Sequence, residues 1–248
     1  MARAFSTVRF ERRGPTAWVV LDRPAQLNAY NLAMRDELDQ ILDALHDDPD
    51  VCAMVLTGAG PAFSTGGDLS EFGRAPSPLV ARWVRFRRDV WGKLLALPIP
   101  TVAAVHGFTV GGGLEMALLC DVAIAADDTR ICLPETGAGM IPGVGGTQTL
   151  ARRAGLGRGL ELCLSGRWID AREAMLVGLV DEVVPKSALD RTAARLARRL
   201  AALPRTLVAL LKIAVREGLD LDLRSGLALE RRLAARAARL MQPATSHT

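Results

Sequence analysis

The stretch Thr101-Val102-Ala103-Ala104-Val105-His106-Gly107-Phe108-Thr109-Val110-Gly111-Gly112-Gly113-Leu114-Glu115-Met116-Ala117-Leu118-Leu119-Cys120-Asp121-Val122-Ala123-Ile124-Ala125-Ala126 carries a complete strand, glycine turn, helix and strand. Thr101 to Val105 is a short apolar run of the kind that fills a buried strand, and Val122 to Ala126 is a second. Between them the three glycines open the apolar segment that runs to about Cys120. Strand, helix and strand at this interval imply a right-handed crossover and parallel pairing, hence an α/β architecture.

The same alternation extends in both directions. Ala17 to Leu21 reads as a strand, and Leu32 to Leu45 as an amphipathic helix with apolar residues at Met34, Leu38, Ile41, Leu42 and Leu45. Val51 to Thr57 reads as a buried strand. A helix is expected from Leu79 to Leu97, after the loop Ala75-Pro76-Ser77-Pro78 and stopped by Pro98 and Pro100. Arg130 to Leu133 reads as another strand, and Gly145-Gly146-Thr147 as the start of a helix running towards Arg153. Beyond Pro185 the strand signals stop, and Ala188 to Leu203, Leu207 to Val215 and Leu221 to Leu240 read as helices. The expected division is a core over residues 1–185 and a helical region over residues 186–248, either capping the core or serving oligomerisation.

Composition narrows the function classes. A chain of 248 residues with 50% hydrophobic content buries a large core. No apolar run is long enough to span a bilayer and the N-terminal stretch lacks a signal-peptide core, so a cytoplasmic protein without a membrane partner is expected. Cys52, Cys120, Cys132 and Cys163 lie in apolar runs without C-x-x-C spacing, which favours free thiols over disulfides or a zinc site. The histidines His46, His106 and His247 offer no metal set either. The formal charge is +4, yet no basic run is interleaved with aromatics, which argues against a nucleic-acid partner.

Chemistry enters through Glu115 and Glu135, twenty residues apart and each flanked by apolar residues. Two carboxylates in one dry pocket suit proton transfer. Singly, Glu115 is also readable as an ordinary first-turn glutamate and Glu135 as a solvated turn residue. The backbone around them favours chemistry. Gly111-Gly112-Gly113 strips side chains from a helix N-terminus, and Phe63-Ser64-Thr65-Gly66-Gly67-Asp68-Leu69 is a second glycine element expected to open a helix. Two such starts can aim two amide N–H groups at one oxygen, an oxyanion hole for a carbonyl that gains negative charge. The plainer reading of both is a pair of tight strand-to-helix turns.

Taken in order, Leu21-Asp22-Arg23-Pro24 with Asn28-Ala29, Leu56-Thr57-Gly58 with Phe63 and Gly66-Gly67-Asp68-Leu69, Ala103-Ala104-Val105-His106-Gly107 with Gly111-Gly112-Gly113 and Glu115, Cys120-Asp121, Pro134-Glu135, Pro142-Gly143-Val144-Gly145-Gly146-Thr147-Gln148, and Gly178-Leu179-Val180 with Val183-Val184-Pro185 resemble the crotonase, or enoyl-CoA hydratase/isomerase, superfamily, from about Val8 to Leu240. The resemblance implies a spiral of repeated β-β-α units with C-terminal helices that form trimers, commonly paired into hexamers. It implies acyl-CoA substrates in fatty-acid or related metabolism, with coenzyme A part of the substrate and no separate cofactor or metal. By position, the amides of Gly67 and Gly112 are the oxyanion donors, and Glu115 and Glu135 the acid/base pair of the hydratase branch. Arg23, Gly66, Asp68, Leu69, Gly111, Pro142 and Gly143 are the implied substrate-binding positions.

The chain also departs from the family pattern. Ala25 and Ser70 stand where many relatives carry basic residues, and the closing aromatic and lysine segment that covers coenzyme A in many hydratases has no counterpart in Leu240 to Thr248. Both carboxylates favour hydratase over isomerase, which can work with one. A catalytically silent acyl-CoA-binding or RNA-binding relative is the reading from a different class. His106 is read as a strand-end residue, and Tyr30 as too close to the Arg-Pro turn for ring-closing chemistry. Trp83, Phe86 and Trp91 are expected either in an aromatic acyl wall or in the core.

Overall fold

The computed structural model describes residues 5–77, 79–80, 83–84 and 87–241. Strands β1 (Val8–Arg13), β2 (Thr16–Leu21), β3 (Ala53–Gly58), β5 (Thr101–Val105), β7 (Val122–Ala126) and β10 (Glu182–Val184) form one sheet in the order β1-β2-β3-β5-β7-β10. Strands β4 (Ala62–Ser64), β6 (Phe108–Val110), β8 (Arg130–Cys132) and β9 (Ile169–Asp170) form a second sheet in that order. β3, β5 and β7 pair in parallel in the first sheet, and their successors β4, β6 and β8 do so in the second. Each turn of chain thus lays one strand in each sheet, and the repetition is the expected β-β-α spiral. β1 with β2 and β8 with β9 run antiparallel, an addition to the all-parallel expectation.

The first sheet is buried on both faces, so its central strands are apolar at all but an end position or two rather than alternating with polar residues. On β5, Ala103 and Val105 join the main core, while Val102 and Ala104 face the other side. There α7 (Leu189–Ala201) lays Leu189, Ala193, Ala197 and Ala201 on the sheet at helical spacing. The first C-terminal helix therefore packs on the sheet. α8 (Arg205–Gly218) and α9 (Leu223–Met241) follow it and pack on one another.

Several elements differ from the sequence expectation. β1 escaped notice because its residues are largely charged and exposed, as suits an edge strand. Of the second sheet, β8 matches the strand expected over Arg130 to Leu133, while β4, β6 and β9 are two or three residues long, too short to show a period. The Gly66-Gly67 element opens a single 3-10 turn, Leu69–Glu71, and not an α-helix. The helix expected over Leu79 to Leu97 is interrupted: Arg87 and Arg88 bend, Asp89 caps a fresh start by accepting from Gly92 N (2.8 Å), and α2 runs over Val90–Ala96. Residues 81, 82, 85 and 86 of that expectation, with Phe86 among them, lie outside the described residues.

α1 (Leu32–Asp47) follows its periodicity, with Asn31 capping Met34 N and Met34, Leu38, Ile41, Leu42 and Leu45 buried. α3 (Gly112–Leu119), α4 (Gly146–Ala154), α5 (Leu156–Ser165) and α6 (Ala171–Leu176) complete the helices that pack around the second sheet or connect to it. Among the described residues no helix is long and apolar enough to cross a membrane.

Candidate active site

The site grows from the end of β6. Val110 ends the strand, Gly111 turns with φ +51°, and α3 begins at Gly112. Gly111 suits this turn: its φ is one that side chains rarely adopt, and a Cβ there would lie 2.5 Å from Glu135 Oε1, so the turn and the carboxylate are packed against one another. At Gly66, φ is +83° and a Cβ would meet the amide nitrogen of Gly112 and the carbonyl of Val110, both at 2.9 Å. The two glycine elements, far apart in sequence, are therefore in direct backbone contact.

Which amides remain available follows from the hydrogen bonds. Tyr30 and Gly67 form a parallel bridge in which Tyr30 N donates to Gly66 O (2.7 Å) and Asp68 N donates to Tyr30 O (2.9 Å). In that pattern the N–H of Gly67 itself points away from Tyr30. The N–H of Gly112 belongs to the first turn of α3, where helix geometry provides no acceptor.

Glu115, in the same first turn, is 1% exposed. Its Oε1 accepts from Val144 N at 2.9 Å and Gly146 N at 2.6 Å, the latter the first residue of α4. The other oxygen, Oε2, lies 3.8 Å from where a Cβ on Gly112 would stand. Glu135 follows β8 and Leu133-Pro134, in helical conformation before a 3-10 turn. Its Oε2 is buried without a hydrogen-bond partner. Burial raises its pKa above the ordinary glutamate value, a backbone hydrogen bond opposes the rise, and the charge of Glu115 adds to it. The structure thus brings the two glutamates and the two glycine turns together. Cys132 and Cys163 share the neighbourhood; burial pushes the Cys132 thiol up to about 11, with Glu135 adding to the effect.

The remaining sequence candidates form the rim. Arg23 Nη1 donates to Asp68 Oδ2 (2.9 Å) and Ala29 O (2.6 Å), so these two candidates hold each other and fix the turn beside Gly67. A hydrogen bond from Ser70, then the Arg23 partnership, keeps the Asp68 carboxyl below its usual range against the cost of burial. Leu69 is 71% exposed. Pro142 is buried and Gly143 exposed in the loop leading to α4. His106 sits at the end of β5 with Nε2 against Gly60 O at 3.1 Å, and burial depresses its pKa, in keeping with the strand-end reading. The rings of Tyr30 and Trp91 meet at 4.8 Å, tilted by 45°, whereas Trp83 is 59% exposed. Among the described residues no three of His, Cys, Asp and Glu gather as metal ligands.

Two contributors had no role assigned from sequence. Asn28, fully buried, donates to Ala59 O and Ala62 O and accepts from Arg23 N, while Ser64 Oγ donates to Asn28 O and accepts from Gly66 N. This polar hub sets the path of the chain into Gly66-Gly67. The amides of Val144 and Gly146 that hold Glu115 are the other; their only sequence signal is the glycine pair opening α4.

The enoyl-CoA hydratase/isomerase family model matches residues 11–240. A probable enoyl-CoA hydratase of Mycobacterium tuberculosis is 38% identical over 229 residues, 92% of this chain and 88% of the relative. A short-chain-enoyl-CoA hydratase of Clostridium acetobutylicum is 37% identical over 226 residues, 91% of this chain and 87% of the relative. Among solved structures, an enoyl-CoA hydratase from Bacillus anthracis superposes with a TM-score of 0.88 at 35% identity, covering 93% of this chain and 90% of that one. The double-sheet spiral and a match that runs through nearly all of it agree: the chain belongs to the enoyl-CoA hydratase/isomerase family.

Proposed function

We propose that the protein is an enoyl-CoA hydratase that adds water across the trans-2 double bond of an acyl-CoA thioester. The carrying observation is the contrast between the two carboxylates. Glu115 has one oxygen fixed by two amides and the other turned towards Gly112, while Glu135 keeps a buried oxygen without a partner and a raised pKa. Environments that separate two acids in this way suit one to take a proton and the other to give one.

In this reading the thioester oxygen lies between the N–H groups of Gly67 and Gly112. Glu115 deprotonates a water as its oxygen bonds to the β carbon. The electron pair of the double bond moves through the α carbon to the thioester oxygen, and the resulting enolate is held by the two amides. Glu135, protonated, delivers its proton to the α carbon and the C=O bond re-forms. One water has been added, and transfer of the proton from Glu115 to Glu135 restores the starting state. Because the acids are coupled, the titration belongs to the pair. Arg23, Asp68 and Leu69 with Gly66 and Gly111 frame the thioester side, and Pro142 and Gly143 the loop that fixes Glu115. Coenzyme A arrives as part of the substrate, and the thioester is itself the electron sink.

We also infer self-association, trimeric or hexameric, from apolar residues left exposed on helices: Leu156, Leu160 and Leu164 on α5 are 75%, 53% and 64% exposed, and Leu211 and Val215 on α8 are 64% and 55%. Light scattering on the purified chain tests this directly.

The test of the activity is loss of conjugated-thioester absorbance across trans-2-enoyl-CoA chain lengths, with product mass determined and with Glu115→Gln and Glu135→Gln alongside. A mass gain of one water, lost in both variants, is expected. A double-bond shift without mass change makes the protein an isomerase, and inertness across the panel, with acyl-CoA still bound, makes it a silent binder.

A further inference from the structure

Glu115 is held by its carboxylate, Oε1 accepting from two amides, whereas Glu135 leaves Oε2 buried and without a partner. The aim of the Glu135 side chain therefore depends on how its backbone is held. After Glu135 comes an open surface turn: Thr136, Gly137 and Ala138 are exposed, Gly139 is left-handed at φ +73°, and nothing lies within 4 Å of where a Cβ on Gly137 or Gly139 would stand. Its outer side has no packing to hold it. Among the described residues, the one side-chain hydrogen bond made by residues 136–140 runs from Thr136 Oγ1 to Cys163 O on α5, at 2.7 Å.

The chain before Glu135 rests on α5 as well. That helix ends at Gly166, left-handed at φ +57°, where a Cβ would lie 3.2 Å from Leu133 O and 3.5 Å from Pro134 Cα. Arg167 grips the Gly166 turn. Its guanidinium donates to Glu161 on α5 from Nε to Oε1 (2.7 Å) and from Nη2 to Oε2 (3.3 Å), and to Glu173 on α6 from Nη1 to Oε2 (3.1 Å) and from Nη2 to Oε1 (2.5 Å). A planar guanidinium shared by two carboxylates fixes direction as well as distance. The bonds from Arg167, and then from Arg158, bring the Glu161 carboxyl down to about 2. The far side of α5 is firmly seated: Leu162 is buried, and Gly159 lies so close to α4 that a Cβ would stand 2.9 Å from Ala151 Cα.

We propose that Thr136 and Arg167 are positioning residues for Glu135: the Thr136 hydroxyl pins the turn that follows it to α5, and Arg167, through Glu161 and Glu173, keeps the Gly166 turn against Leu133-Pro134 before it. This rests on the reading of Glu135 as the proton donor. Neither residue belongs to the glycine turns or to the loop that holds Glu115, so changing them spares substrate binding and disturbs proton transfer. The titratable groups around Glu135 are Glu115 from α3, Cys132 from β8 and Cys163 from α5. With the brace intact these surroundings stay dry and favour the protonated acid. A loosened turn admits water to Oε2, stabilises the carboxylate and returns its pKa towards the ordinary value.

The experiment compares wild type with Thr136→Val, Thr136→Ser and Arg167→Gln on four-carbon trans-2-enoyl-CoA. Thr136→Val and Arg167→Gln are expected to lose roughly tenfold in kcat with little change in KM, because a slightly displaced donor impairs proton transfer rather than uniform binding. Thr136→Ser, which keeps the hydroxyl, is expected to stay near wild type. A second readout needs no turnover. The Glu135 carboxyl band, identified by its absence in Glu135→Gln, is titrated by difference infrared spectroscopy, and its midpoint is expected at lower pH in Thr136→Val and Arg167→Gln than in wild type. Asp121→Asn, altered elsewhere in the fold, is expected to leave that midpoint where it is. An unchanged midpoint in Thr136→Val or Arg167→Gln, a loss confined to KM, or an equal shift in Asp121→Asn overturns the proposal. Should Arg167→Gln not fold, Thr136→Val, on an exposed turn, carries the comparison. If wild type hydrates no enoyl-CoA, the hydratase reading has failed, and the infrared midpoints still decide the brace.

Discussion

Glu115 Oε1 and the amide nitrogen of Gly146 stand 2.6 Å apart, joining the N-terminal turn of α3 to that of α4 across thirty-one residues of sequence. The bond orients one carboxylate oxygen by using the other. It also means that any change at Glu115 acts on two helix starts at once.

Glu115→Gln therefore separates chemistry from architecture. The glutamine carbonyl can still accept from Val144 and Gly146, so the melting temperature is expected to stay close to wild type, while removal of the proposed base is expected to lower hydration by about 10²–10⁴-fold. Glu115→Ala leaves both amides without their acceptor and is expected to lower stability as well, by about 1–3 kcal/mol. Thermal melts and initial rates on the two variants check the pair of expectations.

Gly111→Ala tests the packing between turn and carboxylate. The backbone there is left-handed at φ +51° and the added methyl would meet Glu135 Oε1 at 2.5 Å. Strain of this kind costs on the order of 1–3 kcal/mol, and the shift of Glu135 is expected to depress kcat more than it alters KM. Equal activity in the variant would show that Glu135 has room to move without consequence.

How much of this was legible in the sequence depends on the range of the forces involved. Runs such as Thr101 to Val105 and Val122 to Ala126 appear as strands with the ends expected, because burial on both faces leaves them apolar at every position but Thr101. The glycine turns and both glutamates were legible as candidates, and their juxtaposition was carried by resemblance. What was not legible is contact set by tertiary structure. β4, β6 and β9 are held by their neighbours rather than by any period of their own. Arg23 and Asp68, expected as substrate-binding positions, also pair with each other, which no spacing of forty-five residues announces. The break of the Leu79 to Leu97 helix at Arg87 and Arg88 follows from acids on α1 and the cap at Asp89, both invisible to local periodicity.

The pH profile follows from Glu135. Its folded pKa is raised, mainly by burial, so the proposed proton donor stays protonated to higher pH than an ordinary glutamate and hydration is expected to fall as pH rises through that raised value. Stability has the same sign: between the unfolded and the raised folded pKa the native state holds a proton that the unfolded state has lost, so stability falls with rising pH across that window. Glu135→Gln is expected to remove this part of the stability slope while abolishing most of the activity. Denaturant titrations of both proteins across the weakly acidic to neutral range, with rates on wild type, measure the two effects.

Asp121 offers the complementary case, a carboxylate whose partners tie the head of β5 to α8. It accepts from Thr101 N and Oγ1 at the head of β5, from Lys212 Nζ (2.7 Å) and from Arg216 Nη2 (2.7 Å), both on α8. Lys212 also donates to Ile99 O (2.7 Å), and burial lowers its pKa against the pull of Asp121. Asp121→Asn leaves two cations facing a neutral group. The expected loss is on the order of 2–3 kcal/mol, below the ~3–5 kcal/mol of a fully buried pair because the Asp121 side chain keeps 22% exposure. Lys212→Met, which removes a buried charge together with its desolvation cost, is expected to lose less than Asp121→Asn. Chemical denaturation of both variants provides the comparison, and an equal or larger loss in Lys212→Met would make the lysine, rather than the aspartate, the centre of the cluster.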